Sequence, residues 1–255
     1  MSKLRIRRRK YEEFLQVSRR AKRALVAQIV EDLGTTVLSG PLTGTELKIG
    51  STWGVDLIAQ LFGFYEQQLL EHLVDDSAKA RKGLLVDVGA ADGYWAVGLV
   101  RSGHFERAIC FETRLEGQTV IREMAALNNV SDRIDVFGEA SAPVLLDCLR
   151  KNKPDTLLID VEGAEFDLLT SNVIKTVGAC VVAELHPDGA EADATDRLVS
   201  RLEKAGFETD MVTDAKRDCS ALLEAVDLHD SLRALLLSEG RGRPQSWAVA
   251  RRVSG

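Results

Sequence analysis

The sequence predicts an α/β fold, a seven-stranded and mostly parallel sheet with helices on both faces, preceded by an N-terminal helical extension. Three observations carry this. From Gly83 onward, short apolar runs of strand length alternate with stretches of helical period, the pattern of parallel strands joined by crossover helices. The first of those runs, Leu84–Val88, empties into a turn built from small residues. And 255 residues suffice for one full domain of this class with a modest addition.

Taken in order, residues 11–33 place Phe14, Leu15, Leu25, Ile29 and Val30 on a helical period, which reads as an amphipathic helix. Gly34, Gly40-Pro41 and Gly44 mark a turn-rich stretch, and helical periodicity resumes over 54–75 through Leu57, Ile58, Leu61, Phe62, Leu69, Leu70 and Leu73. Asp75–Gly83 is a polar linker. Strands are then expected at Leu84–Val88, Ala108–Phe111, Ile134–Phe137, Thr156–Val161, Ala179–Leu185, Phe207–Val212 and Ser246–Arg251. Helices are expected at Tyr94–Arg101, Gly117–Asn128, Pro143–Asn152, Glu165–Val177, Ala192–Ala205 and Ala221–Leu237. The implied organisation is a basic helical arm (1–33), a cap and linker (34–82) and a Rossmann-like domain (83–255).

Composition narrows the class. With 45% hydrophobic and 28% charged residues, the chain has the makeup of a globular protein with a substantial core. The net charge of −6 is unevenly spread: residues 1–33 hold ten basic and four acidic side chains, a net +6, which leaves −12 for the remainder. A basic arm on an acidic body can meet nucleic acid, an anionic surface or its own body, but a solvated helix face is the favoured explanation, since charge runs alone are weak signals. Cys110, Cys148, Cys180 and Cys219 form no CxxC pair. That argues against a zinc site or disulfide framework and for a reduced compartment. The apolar run Ala24–Val30 is too short to span a bilayer, and the expected location is the cytoplasm.

The chemistry concentrates after the strands. Val86-Asp87-Val88-Gly89-Ala90-Ala91-Asp92-Gly93-Tyr94 delivers an acid from a buried strand into a turn whose glycines let a ligand approach the backbone. A helix N-terminus with free N–H groups follows. Open parallel sheets bind nucleotides at this position. The turn reads neither GxGxxG nor a phosphate loop, and with acids at 87 and 92 it suits a cationic ligand better than a pyrophosphate; S-adenosylmethionine is such a ligand. Glu112, 25 positions after Asp87, ends the second strand, where an acid accepts ribose hydroxyls. In the loop Gly138-Glu139-Ala140, Glu139 is placed to accept from an adenine amino group, or is a solvated acid.

The fourth strand ends in Asp160-Val161-Glu162 and the fifth in Glu184-Leu185-His186. A period of two puts Asp160 with Glu162, and Glu184 with His186, on common faces. If these strands are neighbours, four ionisable groups converge. Two readings compete: a general base for a proton on the acceptor, or a divalent metal held by oxygen ligands. The base is favoured, and His186 is the first choice because imidazole titrates near neutral pH. Asp160 is second, and a histidine that merely caps a strand end is the plain alternative.

These residues resemble the FkbM-type family of class I S-adenosylmethionine-dependent methyltransferases. The likeness rests on Val86–Ala90 with Gly93-Tyr94, on Phe111-Glu112 and, most specifically, on Asp160-Val161-Glu162-Gly163-Ala164-Glu165; Glu184-Leu185-His186 and Asn128 agree more weakly. It spans about residues 60–250. Phe64-Tyr65-Glu66 is similar to the family's tyrosine–glutamate motif, which would cover the cofactor from above. The resemblance implies methyl transfer from S-adenosylmethionine, most often to a hydroxyl of a sugar or natural product. Asp87, Gly89 and Gly93, with Ala90, Asp92 and Tyr94 of the same turn, would hold the methionine end. Glu112 would hold the ribose and Glu139-Ala140 the adenine, with Glu66 above. Asp160, Glu162 and His186 would face the transferred methyl. The chain departs from the family at Ala91, where an asparagine is common, and in its basic first 33 residues. The expected partner is a small-molecule hydroxyl acceptor, with nucleic acid disfavoured, no membrane, and self-association through the first helix compatible with its pattern. The rival classes are a non-catalytic S-adenosylmethionine or nucleotide-binding protein on the same scaffold, and a nucleic-acid methyltransferase anchored by the basic arm.

Overall fold

The computed structural model describes residues 8–49, 57–75, 82–186, 193–213 and 245–253, with 219–227, 229, 233, 235 and 236. Seven strands form one sheet: β1 (Lys82–Val88), β2 (Phe105–Phe111), β3 (Ile134–Phe137), β4 (Thr156–Ile159), β5 (Cys180–Glu184), β6 (Phe207–Thr213) and β7 (Ser246–Arg252). Their order is β3-β2-β1-β4-β5-β7-β6. The first five run parallel, and β7 is inserted antiparallel between β5 and β6. The chain reverses direction across the sheet between β1 and β4, the kind of switch point at which open α/β sheets bind ligands.

The ten helices of the described residues are α1 (Arg8–Leu33), α2 (Leu57–Leu61), α3 (Gln67–Asp75), α4 (Tyr94–Arg101), α5 (Leu115–Leu127), α6 (Ala142–Asn152), α7 (Glu165–Leu168), α8 (Ser171–Thr176), α9 (Ala194–Lys204) and α10 (Ser220–Ala225). The sheet is apolar on both sides because alternate strand residues feed two cores. Leu84, Val86 and Val88 pack with Leu145, Val173 and Leu198 of α6, α8 and α9. Leu85 faces the other core, with Val97 of α4 and Ile58 and Leu61 of α2. By the same period of two, Asp87 points to that second side, beneath the N-terminal segment. Val26 and Ile29 of α1 are buried in this core too, so the last turns of the expected arm belong to the body. The side chains of Phe14 and Leu15 lie outside the described residues.

Three expected elements are cut short. Residues 57–75 are two helices, not one, because the chain folds back at 62–66: a Cβ on Gly63 would lie 2.0 Å from the Ser39 carbonyl oxygen, and Glu66 takes a left-handed φ of 43°. The expected helix 165–177 breaks into α7 and α8, where the Thr170 hydroxyl accepts from the Val173 N–H. Strand β4 stops at Ile159 rather than Val161, since Glu162 and Gly163 adopt φ of 53° and 113°. Of the helix expected at 221–237, α10 covers the first turns; half of the remainder, like Ala192 and Pro187, lies outside the described residues.

One polar clamp joins the N-terminal segment to the sheet domain. Buried Asn128 accepts from the Glu46 N–H (2.9 Å) and donates to the Glu46 and Met124 carbonyls (both 2.8 Å). The Glu46 carboxylate in turn accepts from the hydroxyls of Thr35 and Thr36.

Candidate active site

The turn after β1 fits against the end of β4 only because residue 89 is glycine. A Cβ there would lie 1.8 Å from the Asp160 carbonyl oxygen, and its φ is +87°. The N–H groups of Gly89 and Ala90 donate to the Phe111 carbonyl (2.9 and 3.1 Å), stitching the turn to β2. Ala91 follows at φ 51°, a left-handed conformation that asparagine or glycine adopts more cheaply than alanine. Its N–H is held by Glu112 Oε2 at 3.0 Å, while Glu112 Oε1 accepts from the Arg114 N–H at 2.8 Å. Glu112 is thus buried and fixed at the mouth of β2, where Gly117 leaves it room: a Cβ there would meet its Cγ at 2.7 Å.

Two residues of the turn serve its architecture. Asp92 Oδ1 accepts from the Tyr94 N–H (3.1 Å) and Oδ2 from Gln60 Nε2 (3.3 Å). It therefore caps α4 and ties that helix to α2, although it also borders a small chamber. Gly93 backs onto Ile121 and Val97, whose side chains would stand 3.3 Å from any Cβ added to it, so its place is helix packing, and it does not line the cavity as expected from sequence.

Asp87 has a different status. It is 2% exposed, and its Oδ2 has no hydrogen-bond partner. Burial, reinforced by Asp160, Glu112 and Asp92, pushes its carboxyl up to about 8. It borders the chamber with Glu66, Tyr65, Tyr94, Trp95, Asp160 and Glu184. The rings of Tyr65, Tyr94 and Trp95 cluster with centroids 5.5–5.9 Å apart, and the buried Tyr94 hydroxyl also lacks a partner. An unpaired buried carboxylate among further acids is costly by itself and becomes favourable when a cation arrives. Tyr65, Glu66, Gly89, Asp160 and Glu184 also border a cleft of about 820 Å³, which continues past Glu112 to Glu139 and Ala140 and past Asp160 to Glu162. Glu139 is exposed at its rim.

At the other wall the ionisable groups meet on His186. Its Nε2 lies 3.6 Å from Glu162 and from Glu184 and 3.9 Å from Asp160, and its Nδ1 lies 3.5 Å from Glu165. Strands β4 and β5 are neighbours, but the convergence has another origin than strand alternation. Asp160 and Glu162 sit in the loop beyond β4, 42% and 89% exposed, while Glu184 is buried and held by the Gln245 side chain. Glu165, which the residue pattern marks only as the first acid of a helix, is fully buried and was missed as a site residue. Its signal was its place at the end of the Asp160–Glu165 string. Gln60, Gln245 and Trp247 were missed as well, and nothing in their local sequence distinguishes them. The buried Glu165 carboxylate beside the ring raises the His186 pKa, against desolvation and with help from Asp160 and Glu162, although Nδ1 itself makes no hydrogen bond. Donor atoms of Asp160, Glu184 and His186 come within 4.8 Å of one another, a spacing that would also admit a cation, so the metal alternative has a geometric candidate.

Comparison with known proteins now bears on this arrangement. Residues 142–209, from α6 to the start of β6, match the model of the methyltransferase FkbM domain. This segment of the chain is similar to the FkbM methyltransferase domain. No curated protein matches it. Among solved structures, an rRNA methylase from Streptococcus thermophilus superposes with a TM-score of 0.53 at 9% identity, over 74% of this chain and 96% of that one. Cofactor-bound Rv0187 from MTB superposes at 0.52 and 15% identity, over 89% and 95%. An O-methyltransferase from Bacillus cereus in complex with SAH reaches 0.45 at 14%, over 98% and 93%. At these identities the first two speak to the fold alone. The matched segment contains Asp160, Glu162, Glu165, Glu184 and His186; the Asp87–Tyr94 turn lies outside it. Among the described residues, no helix is long and apolar enough to cross a membrane.

Proposed function

We propose that this chain is an S-adenosylmethionine-dependent methyltransferase acting on a hydroxyl oxygen of a small, non-anionic molecule such as a sugar or natural product. The observation that carries the reading is that Asp160 and Glu184 connect two features: they border the small chamber walled by the buried Asp87 carboxyl, whose Oδ2 lacks a partner, and they border the adjoining cleft while standing 3.9 and 3.6 Å from the His186 Nε2.

The residues present fit S-adenosylmethionine, whose bound form supplies an electrophilic methyl on a positively charged sulfur. Asp87 and Glu66 would neutralise its cationic end, Glu112 would receive the ribose hydroxyls, and Glu139 and Ala140 would border the adenine. The fixed turn presets this geometry before anything binds, and holding reactants in near-attack positions supplies most of the rate for an activated methyl donor. Tyr65 and Glu66, carried over the cleft by the fold-back at 62–66, restrict water. His186 takes the acceptor's hydroxyl proton at Nε2 as general base, and the facing carboxylates of Asp160, Glu162 and Glu184 stabilise the imidazolium that results. Because the base must be neutral and its pKa is raised, turnover increases with pH through a range above the ordinary histidine value of 6.5.

The cleft's charge supports the choice of acceptor. Seven carboxylates border it against the single guanidinium of Arg114 among the described residues, a field that repels phosphorylated acceptors and nucleic acid. Free thiols at all four cysteines accord with a cytoplasmic setting. The test is calorimetric titration with S-adenosylmethionine, followed by S-adenosylhomocysteine release against a panel of neutral polyols, amino sugars, sugar phosphates and RNA. Binding with turnover on neutral or amino sugars is expected. Absence of binding would sink the reading, and turnover confined to RNA or sugar phosphates would sink the acceptor class.

A further inference from the structure

We propose that the Tyr94 hydroxyl determines specificity for the methyl donor: with Asp87 it reads a complete α-amino-acid head, the phenol donating to the carboxylate while Asp87 meets the ammonium. The inference rests on the reading of S-adenosylmethionine as the ligand and adds the group that selects it over a decarboxylated nucleoside.

The small chamber presents an electrostatic problem. Glu66, Asp87, Asp92, Asp160 and Glu184 line it, and no basic side chain does so among the described residues. Such a wall attracts an ammonium and a sulfonium but repels the carboxylate borne on the same carbon as the ammonium. A neutral donor must therefore stand where that carboxylate lies, or the ligand would bind better without it. The Gln60 amide is already engaged, since its Nε2 donates to Asp92 Oδ2 at 3.3 Å.

Two buried side-chain atoms of the chamber residues lack a partner among the described residues, Asp87 Oδ2 and Tyr94 Oη. Both residues are 2% exposed, and the two atoms do not bond each other. The charges that act on the phenol are those of Asp92 and Glu66, both chamber residues, which puts the hydroxyl as well as the ring on that wall. Burial and these acids hold it well above its ordinary pKa of 10, so it keeps its proton and can donate. An anionic acceptor and a neutral donor, held apart on one wall, complement a zwitterion. The space agrees. The chamber measures about 60 Å³; a water needs roughly 10–15 Å³, so it takes about four to six water-sized groups, against about five heavy atoms in an α-amino-acid head. The ring of Tyr94 has a duty in the fold, packing edge-on to Tyr65 and Trp95 with centroids 5.5 Å apart. Phenylalanine would serve that packing equally well, and a buried hydroxyl with no partner is costly to keep.

The test titrates the full chain with S-adenosylhomocysteine and with its decarboxylated analogue, in the parent and in Tyr94→Phe. The acidic wall alone would favour the decarboxylated compound. The proposal expects the opposite order in the parent, by at least about tenfold; the reverse order there would overturn it without any variant. In Tyr94→Phe, affinity for S-adenosylhomocysteine should fall on the order of 10- to 100-fold, the worth of a hydrogen bond to a charged group. The decarboxylated analogue should bind as before, and the ligand-free variant should melt no lower than the parent. Undiminished affinity for S-adenosylhomocysteine would assign the carboxylate to the main chain and overturn the proposal. Equal losses for both ligands, or a lower melting temperature, would do the same by making the hydroxyl a structural group. Failure of the cofactor reading would show differently, as a parent protein that binds neither compound.

Discussion

Replacing Asp87 by asparagine should stabilise the ligand-free protein and disable it. The carboxyl is fully buried, with an ordinary pKa of 3.8 pushed up to about 8 by desolvation and by Asp160, Glu112 and Asp92. An acid whose folded pKa is raised contributes stability that is complete below its unfolded value and is lost as pH rises to the folded value. The window is thus pH 4–8. Each pH unit within it is worth about 1.4 kcal/mol, so the parent should lose up to ~4 kcal/mol between pH 5 and 8 on this account. Relaxation around a buried charge trims that to roughly half, about 2 kcal/mol, or about 4–8 °C in Tm for a chain of this size. Asp87→Asn keeps the shape and removes the titration. Its urea midpoint should stay nearly level over the same pH range and exceed the parent's at pH 8. His186, whose raised pKa gives a loss in an overlapping window, is present in both proteins and cancels in the difference. In titration calorimetry the variant should bind S-adenosylmethionine at least about tenfold more weakly, a loss of roughly 1.4 kcal/mol or more. At pH 7 the parent should release close to one proton on binding, seen as a dependence of the apparent heat on buffer ionisation enthalpy; the variant should release none from this site. If Asp87→Asn proves less stable than the parent at pH 8, or binds the cofactor equally well, the account of the inner wall is wrong.

Two further substitutions test the scaffold. Ala91→Gly relieves a left-handed alanine at φ 51° and should stabilise by about 1 kcal/mol, read by thermal melting; a lower Tm would show that the bond to Glu112 already removes the strain. Asn128→Ala removes two hydrogen bonds that close the N-terminal segment onto α5 and a third to the Met124 carbonyl within that helix, and it leaves the half-buried main chain of Glu46 without its partner, which should cost about 2–3 kcal/mol. Hydrogen exchange should then quicken at the Glu46 amide before it does so in β1, and uniform quickening would mean that the clamp is not local.

The sheet was legible because each strand combined a short apolar run with a turn signal, and such runs have few other ways to be buried. Asp87 and Glu112 were legible as acids at strand ends, since an interrupted apolar run stands out. What could not be read was any feature made by backbone excursions. The breaks at 62–66 and 160–163 depend on left-handed residues that include Glu66 and Glu162, and no propensity marks glutamate for that conformation. Period-two reasoning accordingly brought Asp160, Glu162 and His186 together for a reason the structure does not use. It also passed over Glu165, whose burial depends on the bend that precedes it. Asp92 shows the converse: its charge suggested a ligand contact, while its position two residues before the Tyr94 amide suits it to an Asx-type turn that accepts from that N–H.

The register of the sheet explains why the acids do not simply repel the fold apart. Val88 pairs with Phe111 on one side and with Ile159 on the other, and Ile159 pairs with Ala183. One step beyond these pairs, at a common level along the sheet, stand Glu112, Gly89, Asp160 and Glu184. Three of four adjacent parallel strands end in a carboxylate, and the fourth ends in the residue with no side chain. Gly89 therefore opens a notch in a row of negative charge, and the period of two sets Asp87 two residues below it as the notch's floor. A larger residue at 89 is excluded by the Asp160 carbonyl 1.8 Å from its Cβ position, so the sequence holds the notch open although closing it would relieve the repulsion. Charge matched by a positive guest turns the same row from a liability into binding free energy, available only while the notch is filled. The stability forgone at Asp87 and the affinity expected there are then two measurements of one interaction, and they should rise and fall together as Asp160 and Glu112 are neutralised one at a time.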